Sequence, residues 1–420
     1  EAQFGPMIVD NDGQPVWFRP VRNEGDYSMD FKAQSYRGET VITWWEGSVA
    51  AGYGRGEWTV LDTSYREVAR IRAGNGYQSD HHELLITPRD TALFTIYNPT
   101  RANLTSVGGS EDDEVIDGIV QEVDIETGEV LFEWHSLDHV AVEETYADRS
   151  EDDGAPFDYF HINSVDVDLD GNLLVSSRRT FAVYKTDREA GEVIWRLGGK
   201  RSDFEMGEGA RTRYQHDARR REDGTLTIFD NGDERLYEES RGIVLDLDED
   251  EMTAELAREY THPDELLSVN QANMQTLPNG NVFLGWGWEP VFSETTSDGE
   301  TIFSASLSPG ANEGSETYRA YRFPWSGQPE DGPAVAAERE SDDEATLYVS
   351  WNGATEVANW EVLAGPAPGL LESVGSAPRD GFETAITLRT SEPYVGARAK
   401  DRSGRELDAS DAVEVVEPEN

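Results

Sequence analysis

The chain has 420 residues, of which 84 are acidic and 35 are lysine or arginine, giving a formal charge of −49. That surplus repels nucleic acid and anionic membrane surfaces, and the one basic run is Arg219-Arg220-Arg221. The absence of cysteine excludes disulfides, thiolate metal sites and a cysteine nucleophile, and no apolar stretch is long enough for a membrane-spanning helix.

From about Phe18 to about Trp325 the sequence is a succession of short alternating segments bounded by Asp-Gly, Asn-Gly and Thr-Gly turns, the pattern of consecutive antiparallel strands. Three stretches place a histidine before a polar turn and a strand: His82-Glu83, Asp158 to Ser164, and Tyr214 to Arg219. After His161 come Val165 to Asn172 and then Leu173 to Arg178; after His216 come Glu222-Asp223-Gly224-Thr225 and then Leu226 to Asp230. A further copy runs from Asn270-Gln271 through Pro278-Asn279-Gly280-Asn281 into Val282 to Gly285. The step from 161 to 216, and again from 216 to 271, is 55 residues. A period of this size signals a propeller, and the span holds roughly six four-stranded units of ~50 residues. Gly108 to Asp113 and Glu143 to Pro156 read as surface loops.

Past Trp325 the texture changes to Gly327-Gln328-Pro329-Glu330-Asp331-Gly332-Pro333 and the charged run Glu338 to Glu344, a linker or domain edge. Beyond it, Ala345 to Trp351, Glu383 to Arg389 and Tyr394 to Ala399 read as strands of a small sandwich, with Trp351 and Trp360 in its core. The expectation is an all-β chain: a six-bladed β-propeller over residues 1–330 and a C-terminal β-sandwich, immunoglobulin- or fibronectin-like, over residues 331–420.

Positive charge is almost all arginine, since only Lys32, Lys185, Lys200 and Lys400 are lysines. High acidity with few lysines suits a protein kept hydrated in concentrated salt, where screening confines self-repulsion; an ordinary acidic secreted protein is the rival reading. A first residue other than methionine fits a processed amino terminus and an exported, extracellular or cell-surface location.

Histidine can serve as nucleophile, acid, base or metal ligand, while arginine presents a fixed fork of donors to a tetrahedral anion. His82, His161 and His216 at equivalent repeat positions, with Arg178, therefore suit transfer of a sulfuryl or phosphoryl group, whose oxygens need donors around them. A metal held by the same three histidines is the competing use, and Arg178 argues against it because a cation beside the metal lowers its affinity. Asp166 to Gly171 opens like a calcium loop, but its twelfth position is Ser177, so a hairpin turn is expected. His135 and His139, with Asp138, read as structural or surface residues.

The series Gly5-Pro6-Met7, Asp80-His81-His82-Glu83, Tyr159-Phe160-His161-Ile162-Asn163-Ser164, Ser176-Ser177-Arg178, Trp195-Arg196-Leu197-Gly198-Gly199-Lys200, Gln215-His216-Asp217-Ala218-Arg219 and Tyr318-Arg319-Ala320-Tyr321-Arg322-Phe323-Pro324-Trp325 resembles the arylsulfotransferase family in its microbial and fungal branch. The resemblance runs nearly the whole chain and includes Val349 to Thr355. It implies a six-bladed propeller that moves a sulfuryl group from an aryl sulfate to a phenol without an adenylyl-sulfate (PAPS) donor, through a sulfohistidine. Position by position it makes His216 the nucleophile and His82, His161 and Arg178 the oxyanion donors and acid or base groups; Arg179, Asn163 and Asn270 join as substrate-binding residues. No cofactor or metal is implied, and the partners are a small aryl sulfate and a phenol. Asn270-Gln271-Ala272-Asn273 supplies amides where another titratable group could have served. A hydrolase or lyase of an anionic ester or glycan, and a non-catalytic propeller that binds a cell-envelope partner, are the other readings of the same residues.

Overall fold

The computed structural model describes residues 3–149, 154–236, 239–307 and 317–417; four residues of the expected loop Glu143 to Pro156, 150–153, fall outside it. Among the described residues the chain is all-β, with only single-turn helical segments such as Ser136–His139, and no described helix is long and apolar enough to cross a membrane. It separates into two compact units, the larger of residues 1–4, 21–60 and 69–323, the smaller of 5–20, 61–68 and 324–420.

Leaving aside the two-residue strand Glu205–Met206, which joins the fourth sheet parallel to Thr253–Tyr260, the described residues of the larger unit build five antiparallel sheets, each strand hydrogen-bonded to its sequence neighbour. Their first strands are Tyr27–Tyr36, Leu84–Ile86, Ile162–Val167, His216–Arg220 and Asn273–Thr276. Adjacent sheets share a hydrophobic core. Trp45, Leu84 and Ile119 join the first and second, Leu93, Phe160 and Tyr184 the second and third, Leu174, Ile228 and Leu245 the third and fourth, and Phe229, Met274 and Trp286 the fourth and fifth. Strands buried on both faces, such as Leu173–Ser177, therefore carry near-continuous small and apolar residues. Side-by-side stacking of short twisted sheets is the propeller-like way to bury both faces.

One hairpin recurs in four of these sheets. The amides of Thr87, Asp168, Arg221 and Leu277 bond the carbonyls four residues on, those of Thr91, Asn172, Thr225 and Asn281, at 2.8–2.9 Å. The fourth residue of each turn has a left-handed backbone, φ 89° at Gly171 and Gly224 and 86° at Gly280, and Asp90 takes the same region at φ 60°. The Asp166 to Gly171 turn is held by ion pairs: Lys185 bonds Asp168 and Asp170, and Arg220 bonds Asp168.

Side chains also tie the first strands of the first and second, the third and fourth, and the fourth and fifth sheets. The amide of Leu84 bonds Asp30, that of Ala218 bonds Ser164, that of Arg220 bonds Asp166 and that of Met274 bonds Asp217. The series continues past the fifth sheet: Asn273 bonds both the amide and the carbonyl of Ala320, and Gln275 does the same for Arg322. Segment 318–322, which belongs to no described sheet, is thus held against the first strand of the fifth-sheet hairpin by side chains. Arg319 from this segment pairs with Asp30 and Glu83, and Arg219 also pairs with Glu83.

In the smaller unit two sheets share one core that includes Leu347, Trp351, Trp360 and Val395, and both tryptophans are buried. The run Glu338 to Glu344, expected at a linker or domain edge, lies inside a hairpin of Ala334–Ser341 and Glu344–Ser350. Alternation explains it: Ala337 is buried in that core while Glu338 faces water. Residues 5–20 belong to this unit because the Asn352 side chain bonds both backbone groups of Phe18, and Trp17 stacks on Tyr65 at 5.2 Å.

Candidate functional site

The three repeat histidines all stand where a first strand begins: His82 two residues before Leu84, His161 one before Ile162, and His216 as the opening residue of its strand. Equivalent strand ends project to one end of the larger unit. The rings of His82 and His161 lie 5.0 Å apart, edge to face, and Tyr97 stacks on His82 at 5.1 Å and meets His161 at 5.5 Å. Arg178 leaves the neighbouring strand with its amide bonded to the carbonyl of His161 at 2.9 Å. Its guanidinium lies 4.7 Å over the Tyr214 ring and donates to the carbonyl of Val269, the residue before Asn270. Left-handed backbone gathers here at non-glycine residues, including His161 (φ 53°), Tyr214 (53°) and Gln271 (64°). Such conformations cost about 1 kcal/mol or more each and persist where surrounding structure dictates them.

Each histidine has a different Nδ1 partner. Asp80 Oδ2 lies 2.5 Å from Nδ1 of His82, Asp158 holds that of His161, and Asn231 Oδ1 lies 2.7 Å from that of His216. Both carboxylates also accept the backbone amide of their own histidine. Burial and the charge of Arg178 push the His216 imidazole well below its ordinary range. Burial outweighs Asp158 at His161 and brings it down to about 4. Burial, reinforced by the charge of Arg179, lowers Arg178 to about 10.

The expected substrate-binding residues stand close by. Nε of Arg178 and Nε of Arg179 are buried and make no hydrogen bond among the described residues. Asn163 spends its amide donor on the carbonyl of Gln215, at 2.6 Å, which braces the residue before His216. The side-chain oxygens of Asn163 and Asn270 are buried acceptors without a partner. Glu83 and Asp217, each adjacent to a site histidine, turn to the cationic cluster of Lys32, Arg219 and Arg319 and orient no imidazole. His135 is bound by Asp117 and Glu133, and His139 stacks on Trp134.

Asp80, Asp158 and Asn231 were not singled out from sequence as orienting groups. The signal for the aspartates is short-range, an aspartate two or three residues before each histidine, whereas Asn231 reaches His216 through the fold alone. Tyr97, and Tyr318, whose hydroxyl bonds the carbonyl of His82 at 3.0 Å, also depend on the fold. Asp80, His81 and His82 present potential metal ligand atoms within 4.8 Å of one another. The Asp80 carboxylate is already taken by the amides of Gly54 and His82, by His82 Nδ1 and by Thr95, which leaves it little capacity for an ion.

The sequence profile of the arylsulfotransferase (ASST) family matches residues 32–308, a stretch that holds all seven expected site residues. The chain belongs to the arylsulfotransferase family. Tyr318 and Arg319 lie beyond the part that carries the family match. No curated protein matches the sequence. Among solved structures, a Bacteroides caccae protein of unknown function is 14% identical over 73% of this chain and 92% of its own, with a TM-score of 0.44. Virginiamycin B lyase from Staphylococcus aureus is 10% identical over 81% of this chain and 82% of its own, with a TM-score of 0.39. Periplasmic gluconolactonase from Pseudomonas aeruginosa is 13% identical over 92% and 96%, with a TM-score of 0.33.

Proposed function

We propose that this arylsulfotransferase-family chain moves a sulfuryl group from an aryl sulfate to a phenol through a sulfohistidine at His216, without an adenylyl-sulfate donor. The observation that carries the reading is the pair of buried, unpartnered guanidinium nitrogens on Arg178 and Arg179 beside three histidines. A buried donor left without an acceptor costs about 1–3 kcal/mol, and an oxyanion removes that cost. In the first half-reaction Nε2 of His216 attacks sulfur, the bond from sulfur to the phenolic oxygen breaks, and the phenolate leaves with the electron pair and takes a proton from His161 or His82. In the second, an acceptor phenol gives its proton back to that imidazole, its oxygen attacks sulfur, and the N–S pair returns to Nε2. The bound sulfate ester is an anion, so its arrival offsets the Arg178 charge and raises the lowered His161 toward the range of a useful acid.

The aryl group has a matching wall. Tyr146 stacks on Phe181 at 4.3 Å, Phe181 meets Tyr214 edge to face at 4.7 Å, and Tyr214 carries Arg178 on its face. In this reading segment 318–322 completes a six-bladed ring, the C-terminal strands form a sandwich domain, and the protein works outside the cytoplasm.

The test mixes the protein with an aryl sulfate and no acceptor, then maps the adduct by mass spectrometry. The expected result is a sulfo group on His216, chased off by added phenol and absent in His216→Asn. Arg178→Gln should lower exchange by ~10²-fold or more, the scale of one lost oxyanion donor, with little change in thermal unfolding. Ester turnover without an adduct, undiminished in His216→Asn, would assign the site to a hydrolase or lyase instead.

A further inference from the structure

The Asn231 amide is fixed by its own partners. Its nitrogen donates to the carbonyls of Ser268 at 2.8 Å and Gln271 at 3.1 Å, which leaves Oδ1 as the atom facing His216 Nδ1. The backbone carbonyl of Asn231 takes the Ser240 hydroxyl at 2.7 Å, which holds the residue from its other end. Two carbonyl acceptors cannot tolerate a flipped amide, so the side-chain oxygen is an obligatory acceptor for His216. An imidazole that donates from Nδ1 carries its lone pair on Nε2.

We propose that Asn231 is a positioning residue that holds His216 as the Nδ1–H tautomer, so that Nε2 faces the sulfuryl group as a neutral nucleophile. This rests on the reading of His216 as nucleophile and deepens it. The contrast with the other two histidines gives the reason for an amide. A carboxylate partner, as Asp158 is to His161, pulls toward the doubly protonated ring, which has no lone pair to attack with. Asn231 fixes orientation and tautomer without adding that charge. When the Nε2–S bond forms, the ring gains positive charge and the Nδ1–H stays on Asn231 Oδ1, so no proton has to leave the nucleophile in either half-reaction. The titratable groups that bear on His216 are Arg178, His161 and His82, each of which in cationic form opposes its protonation. From the segment before the fifth sheet, Asn231 itself meets the neutral carbonyls of Ser268 and Gln271.

Nitrogen-15 histidine spectra of the wild-type protein test the tautomer directly. The expected pattern is a protonated Nδ1 and an unprotonated Nε2 on His216 across neutral pH; a protonated Nε2 overturns the inference. Two variants test the role. Asn231→Leu should lower kcat for sulfuryl exchange by ~10²-fold or more, as expected when a catalytic imidazole loses its tautomer, with KM within about threefold. Asn231→Asp should move the acidic limb of the kcat profile upward by about one pH unit or more, because the new carboxylate favours the protonated ring. An unchanged profile and kcat in both variants overturns the proposal. If a variant does not fold, the wild-type spectrum decides. A sulfo adduct on His216 together with a protonated Nε2 refutes this inference alone, whereas an Nδ1–H tautomer without any adduct refutes the transfer reading and leaves the tautomer standing.

Discussion

Asp80 and Asp158 show how closely spaced residues can differ in role. Each bonds the backbone and the ring of a histidine that follows it, and the carboxylates stay below their ordinary range: burial opposes ionisation, but the imidazoles His82 and His161 outweigh it. His81, between Asp80 and His82, is held less closely, with its Nδ1 3.4 Å from Asp80 Oδ1. Its Nδ1 is buried without a hydrogen bond, and burial, with the charge of His82, lowers the ring to about 3. Between the unfolded value near 6.5 and about 3, the unfolded chain binds a proton that the folded chain does not. The stability linked to His81 is therefore fully present above about pH 6.5 and is lost as pH falls, at up to about 1.4 kcal/mol per pH unit. Urea unfolding of His81→Phe should be less pH-sensitive than wild type over this window; identical slopes would mean that His81 titrates normally in the folded protein. The repeat made His82, His161 and His216 legible, because equivalent strand starts bring their residues to one end. It could not show which second residue each imidazole meets, since Asn231 lies 15 residues beyond His216 and reaches it only after the hairpin closes.

At the scale of elements, the hairpins were the readable part. A glycine at φ near 89° between alternating strands marks Gly171 and Gly224, while the copy at Asp90 has no glycine and breaks the visual pattern. Segment 318–322 was harder to place, for its pairing uses side chains instead of a backbone ladder. Asn273 contributes both halves of that pairing, accepting from the Ala320 amide at 2.9 Å and donating to its carbonyl at 2.9 Å. Gly285 matters for the same contact: a Cβ there would fall 2.4 Å from Asn273 Oδ1 and 2.7 Å from the Ala320 nitrogen. Asn273→Leu would leave two peptide groups without partners and should destabilise the fold by about 2–4 kcal/mol. Denaturant unfolding reads that loss, and hydrogen exchange at the Ala320 amide localises it. Because Tyr318 bonds the carbonyl of His82, sulfuryl exchange should fall along with it. Wild-type stability in this variant would show that segment 318–322 is held by Arg319 and its ion pairs instead.

For the whole molecule the governing quantity is the charge of −49, and most basic groups are already committed. Glu122 takes Arg89 and Arg188, Glu57 takes Arg70 and Arg72, and Asp168 takes Lys185 and Arg220. The acidic surplus beyond such pairs faces water and repels itself. In dilute buffer the Debye length is about 30 Å at 0.01 M, so that repulsion acts across an entire sheet; at 1 M it shrinks to about 3 Å and reaches only near neighbours. Stability should accordingly rise steeply with sodium or potassium chloride. No disulfide ties the sheets together, since the chain has no cysteine. Low salt should therefore loosen the packing between sheets before strand content falls, with near-ultraviolet circular dichroism lost and an apolar dye bound while the far-ultraviolet signal persists. Internal ion pairs pull the other way, because salt screens them too, but those of Arg188 with Glu122 and of Lys185 and Arg220 with Asp168 are largely shielded from solvent and lose less than the exposed repulsion does. An unfolding midpoint equal at 0.01 M and 2 M salt would mean that the acidic surface carries no salt adaptation.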